Sequence, residues 1–167
     1  VVTLSTYKFS SKIVAVPFEL LQDSAADMEA FVVRRLAERL GRVQNTYFTT
    51  GTGSSAPNGI VTASGLGNTT AAVAAVTGDE IIDLEHSVDP AYRSAPGVAF
   101  MFNDATLKAV RKLKDGSSRP IFVPSWDASL TGATPDTLLG RPVVVNNDVA
   151  VMAANAKSIA FGDFSKF

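Results

Sequence analysis

A glycine-rich stretch, FTTGTGSSAPNG at residues 48–59, is the first place where residue types and spacing could hold a ligand. Such a loop cradles a phosphate when a strand precedes it, a Lys-Ser or Lys-Thr pair ends it and a helix follows, because the helix N-terminus is positive. Here a long helical pattern comes before the loop, and no lysine follows Gly53 until Lys108. The glycines are therefore expected to end the helix and to form a hinge, with Gly51, Gly53 and Gly59 as the hinge positions.

Residues for nucleophilic or thiolate chemistry are sparse. The sequence has no cysteine and one histidine, His86, which excludes disulfides, thiolate zinc sites and a cysteine nucleophile. A Ser-His-Asp set can be drawn from His86, Asp83 and either Ser87 or Ser125, but there is no G-x-S-x-G nucleophile elbow. We therefore expect His86 to be an exposed helix residue rather than a catalytic base.

Charged and amide side chains form further clusters, and each cluster has more than one interpretation. The helical acids fit either a solvated face or a cation site, and they are Asp79, Glu80, Asp83 and Glu85. The run NND at 146–148 fits a turn after a strand or oxygen ligands for calcium. The densest basic cluster fits solvent, phosphates or acids of a neighbouring subunit, and it comprises Lys108, Arg111, Lys112 and Lys114. Trp126 lies in a turn-rich stretch and fits packing or a subunit contact. No set converges on an active site, so we expect no catalysis, cofactor or metal.

Composition limits the class of protein. The chain has 167 residues, 46% of them hydrophobic, and a formal net charge of -1. This length and apolar content are enough for one domain, or for a core with an appendage. The chain is neither disordered nor a basic nucleic-acid-binding module. The apolar runs, such as AAVAAV at 71–76, are far shorter than the ~20 residues of a membrane span. Because the chain starts with valine and stops within an apolar pattern, we expect a fragment of a longer polypeptide.

A long helix is the strongest local prediction. Ser24 is expected to cap it, with Asp27 as the capping-box partner, and the helix should run from Ala25 to about Phe48. Apolar residues recur at steps of three and four along it and give one stripe. Acids near the start and arginines farther along complement the helix dipole, the arginines being Arg34, Arg35, Arg39 and Arg42. At roughly 36 Å, such a helix should run along a body rather than through it.

The other elements follow from period and capping signals. Residues 1–21 read as extended chain, and TGDE from Thr77 is a capping box that starts a second helix. GVAFMFN at 97–103 is apolar on both faces and predicts a central strand. The remaining elements are a helix capped near Asn103 or Asp104 and closed by Gly116, short strands at RPIFVP and RPVVVNN, and a final strand SIAFGDFSKF with a glycine break.

Several stretches taken together are similar to one protein family. VPFELLQDSAADMEAFVVRRLAERLGRVQNTYFTTGTGSSAPNGIV resembles the spine-helix segment of tailed-phage major capsid proteins of the Hong Kong 97 type. The matching residues are Leu20, Leu21, Asp23 and Ser24, then Gly51, Gly53, Pro57, Gly59 and Ile60. NDATLKAVRKLKDGSSRPIF, LLGRPVVVNND and FGDFSKF resemble three further stretches, in the family's order. Two departures are Gln44, where an acid is common, and SIAFGDF, which lacks a leucine-rich lead-in.

The resemblance implies an α+β fold of the Hong Kong 97-like type: a long spine helix with peripheral strands, and a compact mixed α/β axial domain. It implies a peripheral part at 1–52, an axial domain at 53–158 and a return strand to the peripheral part at 159–167. The glycine loop would be the joint between the two parts, with residues 51–55 among the more mobile ones.

The resemblance also implies a function. The chain would be a structural subunit of an icosahedral phage or prophage capsid that self-assembles around double-stranded DNA. Pentamers and hexamers of itself, scaffold, protease, portal and non-specifically bound DNA would be its partners, with no membrane involved. It would be made in the bacterial cytoplasm and reside in the virion. Because the family's clasping segments fall outside residues 1–167, we expect this chain alone to be a monomer or weak oligomer.

Candidate subunit contacts are the charged and aromatic residues already described: Arg34, Arg35, Arg39, Arg42, Lys108, Arg111, Lys112 and Trp126. Two alternatives to the phage capsid stay open at this point. An encapsulin-like nanocompartment shell shares the fold but encloses enzymes. A small α/β enzyme would instead need a pocket with converging titratable groups.

Overall fold

The computed structural model describes residues 6–10, 13–19, 27–114, 116–118 and 137–166. The chain divides into two compact units, residues 1–62 and residues 63–167. The first contains a long helix and the second a four-stranded mixed sheet with helices, so the predicted α+β class is confirmed. RPIFVP, Ser24, Ser125 and Trp126 lie outside the described residues.

Helix α1 spans Met28–Thr50 in the first unit. Its N-cap is Asp27, whose carboxylate accepts a hydrogen bond from Ala30 N at 3.0 Å, so the predicted helix start at Ala25 is wrong, while the predicted cap, Ser24, lies outside the described residues. The Asp27 side chain thereby satisfies one of the free N–H groups of the first turn. The end near Phe48 is confirmed within two residues, because the helix continues to Thr50.

The N-terminal stretch contacts the C-terminal half of α1. The ring of Phe9 lies 5.6 Å from that of Tyr47 and 6.2 Å from that of Phe48, measured between centroids. Residues 6–10 and 13–17 carry no strand, unlike the extended β-pattern predicted for residues 1–21. A β-former pattern needs a neighbouring strand to supply hydrogen bonds, and the strands of this structure pair only among themselves in the part of the chain that is described.

The remaining elements follow in order along the chain. The helices are α2 (Ile60–Ala63), α3 (Gly78–His86), α4 (Pro90–Arg93) and α5 (Asp104–Val110). The strands are β1 (Val98–Phe102), β2 (Thr137–Leu138), β3 (Arg141–Val145) and β4 (Ile159–Asp163), followed by a 3-10 turn at Phe164–Lys166.

The sheet has the order β2-β3-β1-β4. β1 pairs in parallel with β3, with Phe100 opposite Val143, and antiparallel with β4, with Phe100 opposite Phe161. The prediction that 97–103 forms a central strand is therefore confirmed, as is the strand at RPVVVNN. β4 pairs with β1 inside the second unit, whereas the sequence analysis assigned residues 159–167 to the peripheral part as a return strand. The predicted glycine break is wrong, because Gly162 continues the ladder opposite Ala99.

The core covers one face of this sheet. Phe100 and Phe102 are fully buried and point the same way, as alternate residues of a strand do. Ile81 of α3 joins them in one cluster, as do Leu107 and Val110 of α5. Both helices are thereby held with one side against the core and the other toward solvent.

The caps of α3 and α5 agree with the sequence signals. Thr77 and Glu80 form the predicted capping box of α3, and Asn103 caps α5 by accepting a hydrogen bond from Ala105 N at 2.9 Å. α5 ends at Val110, well before the predicted closure at Gly116. The one-turn helix α4 lies between α3 and β1. Among the described residues, no helix is long and apolar enough to cross a membrane.

Candidate functional site

The glycine loop is closed by backbone hydrogen bonds directly after α1. Gly51 N donates to Tyr47 O at 2.8 Å, and Gly59 N donates to Gly51 O at 2.8 Å. Thr52 and Asn58 form an isolated antiparallel bridge between these points. The loop therefore folds back on the end of the helix that precedes it, and the prediction that a glycine ends the helix is confirmed, since Gly51 is the C-cap.

Two of these glycines are needed because other backbone atoms lie where a side chain would begin. A Cβ on Gly51 would overlap the carbonyl oxygen of Pro57, and a Cβ on Gly59 would lie 2.6 Å from Thr50 N and 2.7 Å from Thr49 C. Gly53 needs no space but has a φ of 76°, in the left-handed region that favours glycine. Gly51 and Gly59 thus make a tight turn possible, while their role as a hinge stays a prediction.

The N-terminal end of the second unit is organised around Glu80. Its carboxylate accepts hydrogen bonds from Ala71 N and from Thr77 N, both at 2.7 Å. The hydrogen bond from Ala71 and, to a lesser extent, that from Thr77 hold the pKa of Glu80 below its usual value. The capping-box pattern predicts the bond from Thr77, but nothing in the sequence predicts the bond from Ala71, which lies nine residues from Glu80.

The histidine cluster does not form a catalytic set. His86 is exposed on α3, and its Nδ1 lies 3.0 Å from Arg93 Nη1. The hydroxyl of Ser87 donates to Leu84 O at 2.7 Å. The described residues bring no Ser-His-Asp set together, and the exposed position predicted for His86 is confirmed.

The NND run forms the predicted turn. Asn146 Oδ1 accepts from Asp148 N at 3.1 Å, and Asn147 Oδ1 accepts from Asp104 N at 3.2 Å. Asn103 Nδ2 also donates to Asn147 O at 3.0 Å. These side chains join the end of β3 to the start of α5. In the described part of the chain, no group of three or more carboxylates and histidines is arranged to hold a metal ion.

The arginines of α1 differ in their surroundings. Arg35 and Arg42 both pair with Glu38, at 3.2 Å and 2.5 Å, and the Arg35 guanidinium also lies 5.4 Å from the centre of the Phe31 ring. Arg34 and Arg39 are exposed on the same helix. Exposed pairs of this kind stabilise a helix weakly, so they leave the arginines accessible to a partner.

The two predicted charged clusters of the second unit lie on separate helices. Lys108 is exposed on α5, and Arg111 and Lys112 are exposed in the turn that follows it. Of the acids, Asp79 and Asp83 are exposed on α3, whereas Glu85 is turned inward and pairs with Arg141 at 3.4 Å. This division of the acids into an outer and an inner pair was not predicted, although the helical periodicity of residues 78–86 indicates it.

The chain is similar to proteins of one family in both sequence and fold. The model of the Phage capsid family matches residues 1–167. The chain is similar to the capsid of a native GTA particle computed with C5 symmetry, at 33% identity and a TM-score of 0.71, over 88% of this chain and 52% of that one. The capsid of the empty GTA particle gives 32% identity and a TM-score of 0.69, over 88% and 53%. No curated protein matches the chain.

The chain thus spans about half the length of the capsid chains it matches. The family match nevertheless covers every residue, and the long helix and mixed sheet occur in the matching capsid fold. The resemblance drawn from the sequence is confirmed, and the small-enzyme alternative is wrong. The chain belongs to the phage capsid family and is a structural protein rather than an enzyme.

Proposed function

We propose that the full-length protein is the subunit of an icosahedral shell that assembles from many copies of itself and encloses double-stranded DNA. The observation that carries the proposal is the likeness to the capsid of a GTA particle computed with C5 symmetry. A ring of identical subunits needs two complementary surfaces on each copy. The second unit, with a packed core and exposed charged helices, offers rigid surfaces of that kind.

The proposal includes pentamers and hexamers as the units of the shell. Scaffold, protease and portal proteins are its further partners, and the site of synthesis is the bacterial cytoplasm. A formal net charge of -1 suits a wall of many copies, because strongly charged subunits would repel each other.

The glycine loop has a proposed part in this assembly. Residues 1–52 would form the peripheral part and residues 53–158 the axial domain, with residues 159–167 returning to the peripheral part. The contacts divide the chain after residue 62 instead, because Gly59 N and the Thr62 hydroxyl both bond to the end of α1. If the joint between the two parts follows residue 62, the closed glycine loop belongs to the same part as α1.

Electron microscopy of the full-length protein, expressed alone and purified, tests the shell. Closed particles of uniform size support the proposal, and only small soluble species at concentrations that assemble related capsids contradict it. Nuclease-protected DNA in particles from a host that carries the rest of the gene cluster separates a phage capsid from an encapsulin-like nanocompartment. Protein cargo without DNA would support the nanocompartment.

A further inference from the structure

An acidic face lies on the solvent side of α3. Asp79, Ile82 and Asp83 are exposed and recur at helical spacing, while Ile81 on the other side is 2% exposed. In the described part of the chain, no ion pair or side-chain hydrogen bond engages the carboxylates of Asp79 and Asp83. Ile82 is 42% exposed between them, so the acidic face consists of two charges around an apolar centre.

A basic face lies on the solvent side of α5 and the turn after it. It consists of Lys108, Arg111 and Lys112, which are exposed, while Leu107 and Val110 face the core. Lys108 and Lys112 form no ion pair with described residues. Ala105, exposed one turn before Lys108, gives this face a small apolar surface of its own.

The two faces are opposite in sign. The acidic face places two charges four residues apart on α3, about 6 Å along a helix that rises 1.5 Å per residue, and the basic face places Lys108 on α5 with Arg111 and Lys112 in the turn that follows it. Within the described part of one copy, neither Asp79 nor Asp83 pairs with Lys108 or Lys112. Contacts between two acidic or two basic faces would repel, whereas acidic against basic brings opposite charges together and lets Ile82 cover Ala105.

We propose that the acidic face of one copy packs against the basic face of a second copy. The proposal rests on the proposed function, because only a self-assembling subunit brings many copies together. It names the surfaces of one contact between subunits and the kind of partner each face takes. Individual exposed ion pairs are weak, so the contact gains its effect by repetition through the shell and should weaken with added salt.

The experiment uses charge reversal in the full-length protein. The first variant carries Asp79→Lys and Asp83→Lys, the second carries Lys108→Glu and Lys112→Glu, and the swapped variant carries all four changes. All four positions are exposed, so folding should persist, and circular dichroism checks it. The swapped variant is the matched control, because it contains every substitution yet keeps the native net charge.

In about 50 mM salt, each two-residue variant should need roughly tenfold more protein than the native chain to associate, as judged by sedimentation and electron microscopy. The swapped variant should associate like the native chain. A mixture of the two-residue variants should also form larger species than either alone, because each then meets an oppositely charged face. Raising the salt should bring all variants closer together.

Native-like association of both two-residue variants would overturn the proposal, and so would a swapped variant that fails to recover. Loss confined to the second variant, with loss of DNA from the particles, would assign the basic face to nucleic acid instead. If the native protein forms no shells, the proposed function fails. The contact is then still tested by sedimentation, since the mixture must associate more than either variant alone.

Discussion

Replacing Gly59 by alanine should destabilise the first unit, because the new methyl group meets backbone rather than movable side chains. The Cβ would lie 2.6 Å from Thr50 N and 2.7 Å from Thr49 C, and close to Gly51 N as well. These atoms belong to the last turn of α1, so the loop has to move away from the helix. That movement breaks the bond from Gly59 N to Gly51 O, which is 2.8 Å long.

The magnitude follows from two contributions. Overpacking costs about 1–3 kcal/mol, and loss of a backbone hydrogen bond costs about 0.5–1.5 kcal/mol. We therefore expect the free energy of unfolding to fall by about 1.5–4.5 kcal/mol. Gly41 is the matched control, since it lies inside α1 and a Cβ there would meet no atom within 4 Å. Gly41→Ala should raise stability by about 0.5–1 kcal/mol, because alanine favours the helix.

Urea unfolding followed by circular dichroism at 222 nm measures both variants against the native chain. Hydrogen exchange at the amides of Gly51 and Gly59 adds a local readout, which should speed up in Gly59→Ala and stay unchanged in Gly41→Ala. The reasoning fails if Gly59→Ala is as stable as the native chain with its amide protection intact. Fast exchange at both amides in the native protein would also contradict the closed loop and favour a flexible hinge.

Three further predictions concern the second unit. Because the folded protein lowers the pKa of Glu80, its carboxylate should stabilise the fold above the ordinary pKa of 4.5, and this stability should be lost as the pH falls through the lower folded value. In urea unfolding measured against pH, Glu80→Gln should remove that loss of stability. Asn103→Ala should lower the free energy of unfolding by about 1–3 kcal/mol, as measured by chemical denaturation. The loss should exceed that of Asn147→Ala, because only Asn103 both caps α5 and bridges to the turn after β3. Phe100→Ala should cost about 3–5 kcal/mol by the same measurement, because its side chain is fully buried at the centre of the sheet.

Sequence patterns predicted elements whose signals are local. The capping box at Thr77, the cap at Asn103 and the apolar run at 98–102 each act within a few residues, and the structure confirms all three. The start of α1 was predicted wrongly because Ser24 and Asp27 are both good caps, and short-range propensity does not choose between them.

Features that depend on contacts between distant residues could not be read from the chain. The pairing of β4 with β1 joins Phe161 to Phe100, and a strand pattern contains no record of its partner. The tight approach at Gly59 likewise depends on where α1 ends, so the need for a residue without a side chain there could not be predicted from the sequence. The family resemblance rests on several weak motifs that occur in the family's order, and not on the periodicity or capping signals that predict helices and strands.

The position of β1 in the sheet has a consequence for the order of folding during synthesis. Both partners of the central strand are made after it, since Phe100 pairs with Val143 and with Phe161. Translation at ~5–20 residues per second leaves about 3–12 s between Phe100 and Phe161 leaving the site of synthesis. The apolar strand has two unpaired edges until β3 is made and one until β4 is made, and unpaired edges are sites for aggregation. The nascent chain is therefore most prone to aggregate before residue 163 emerges.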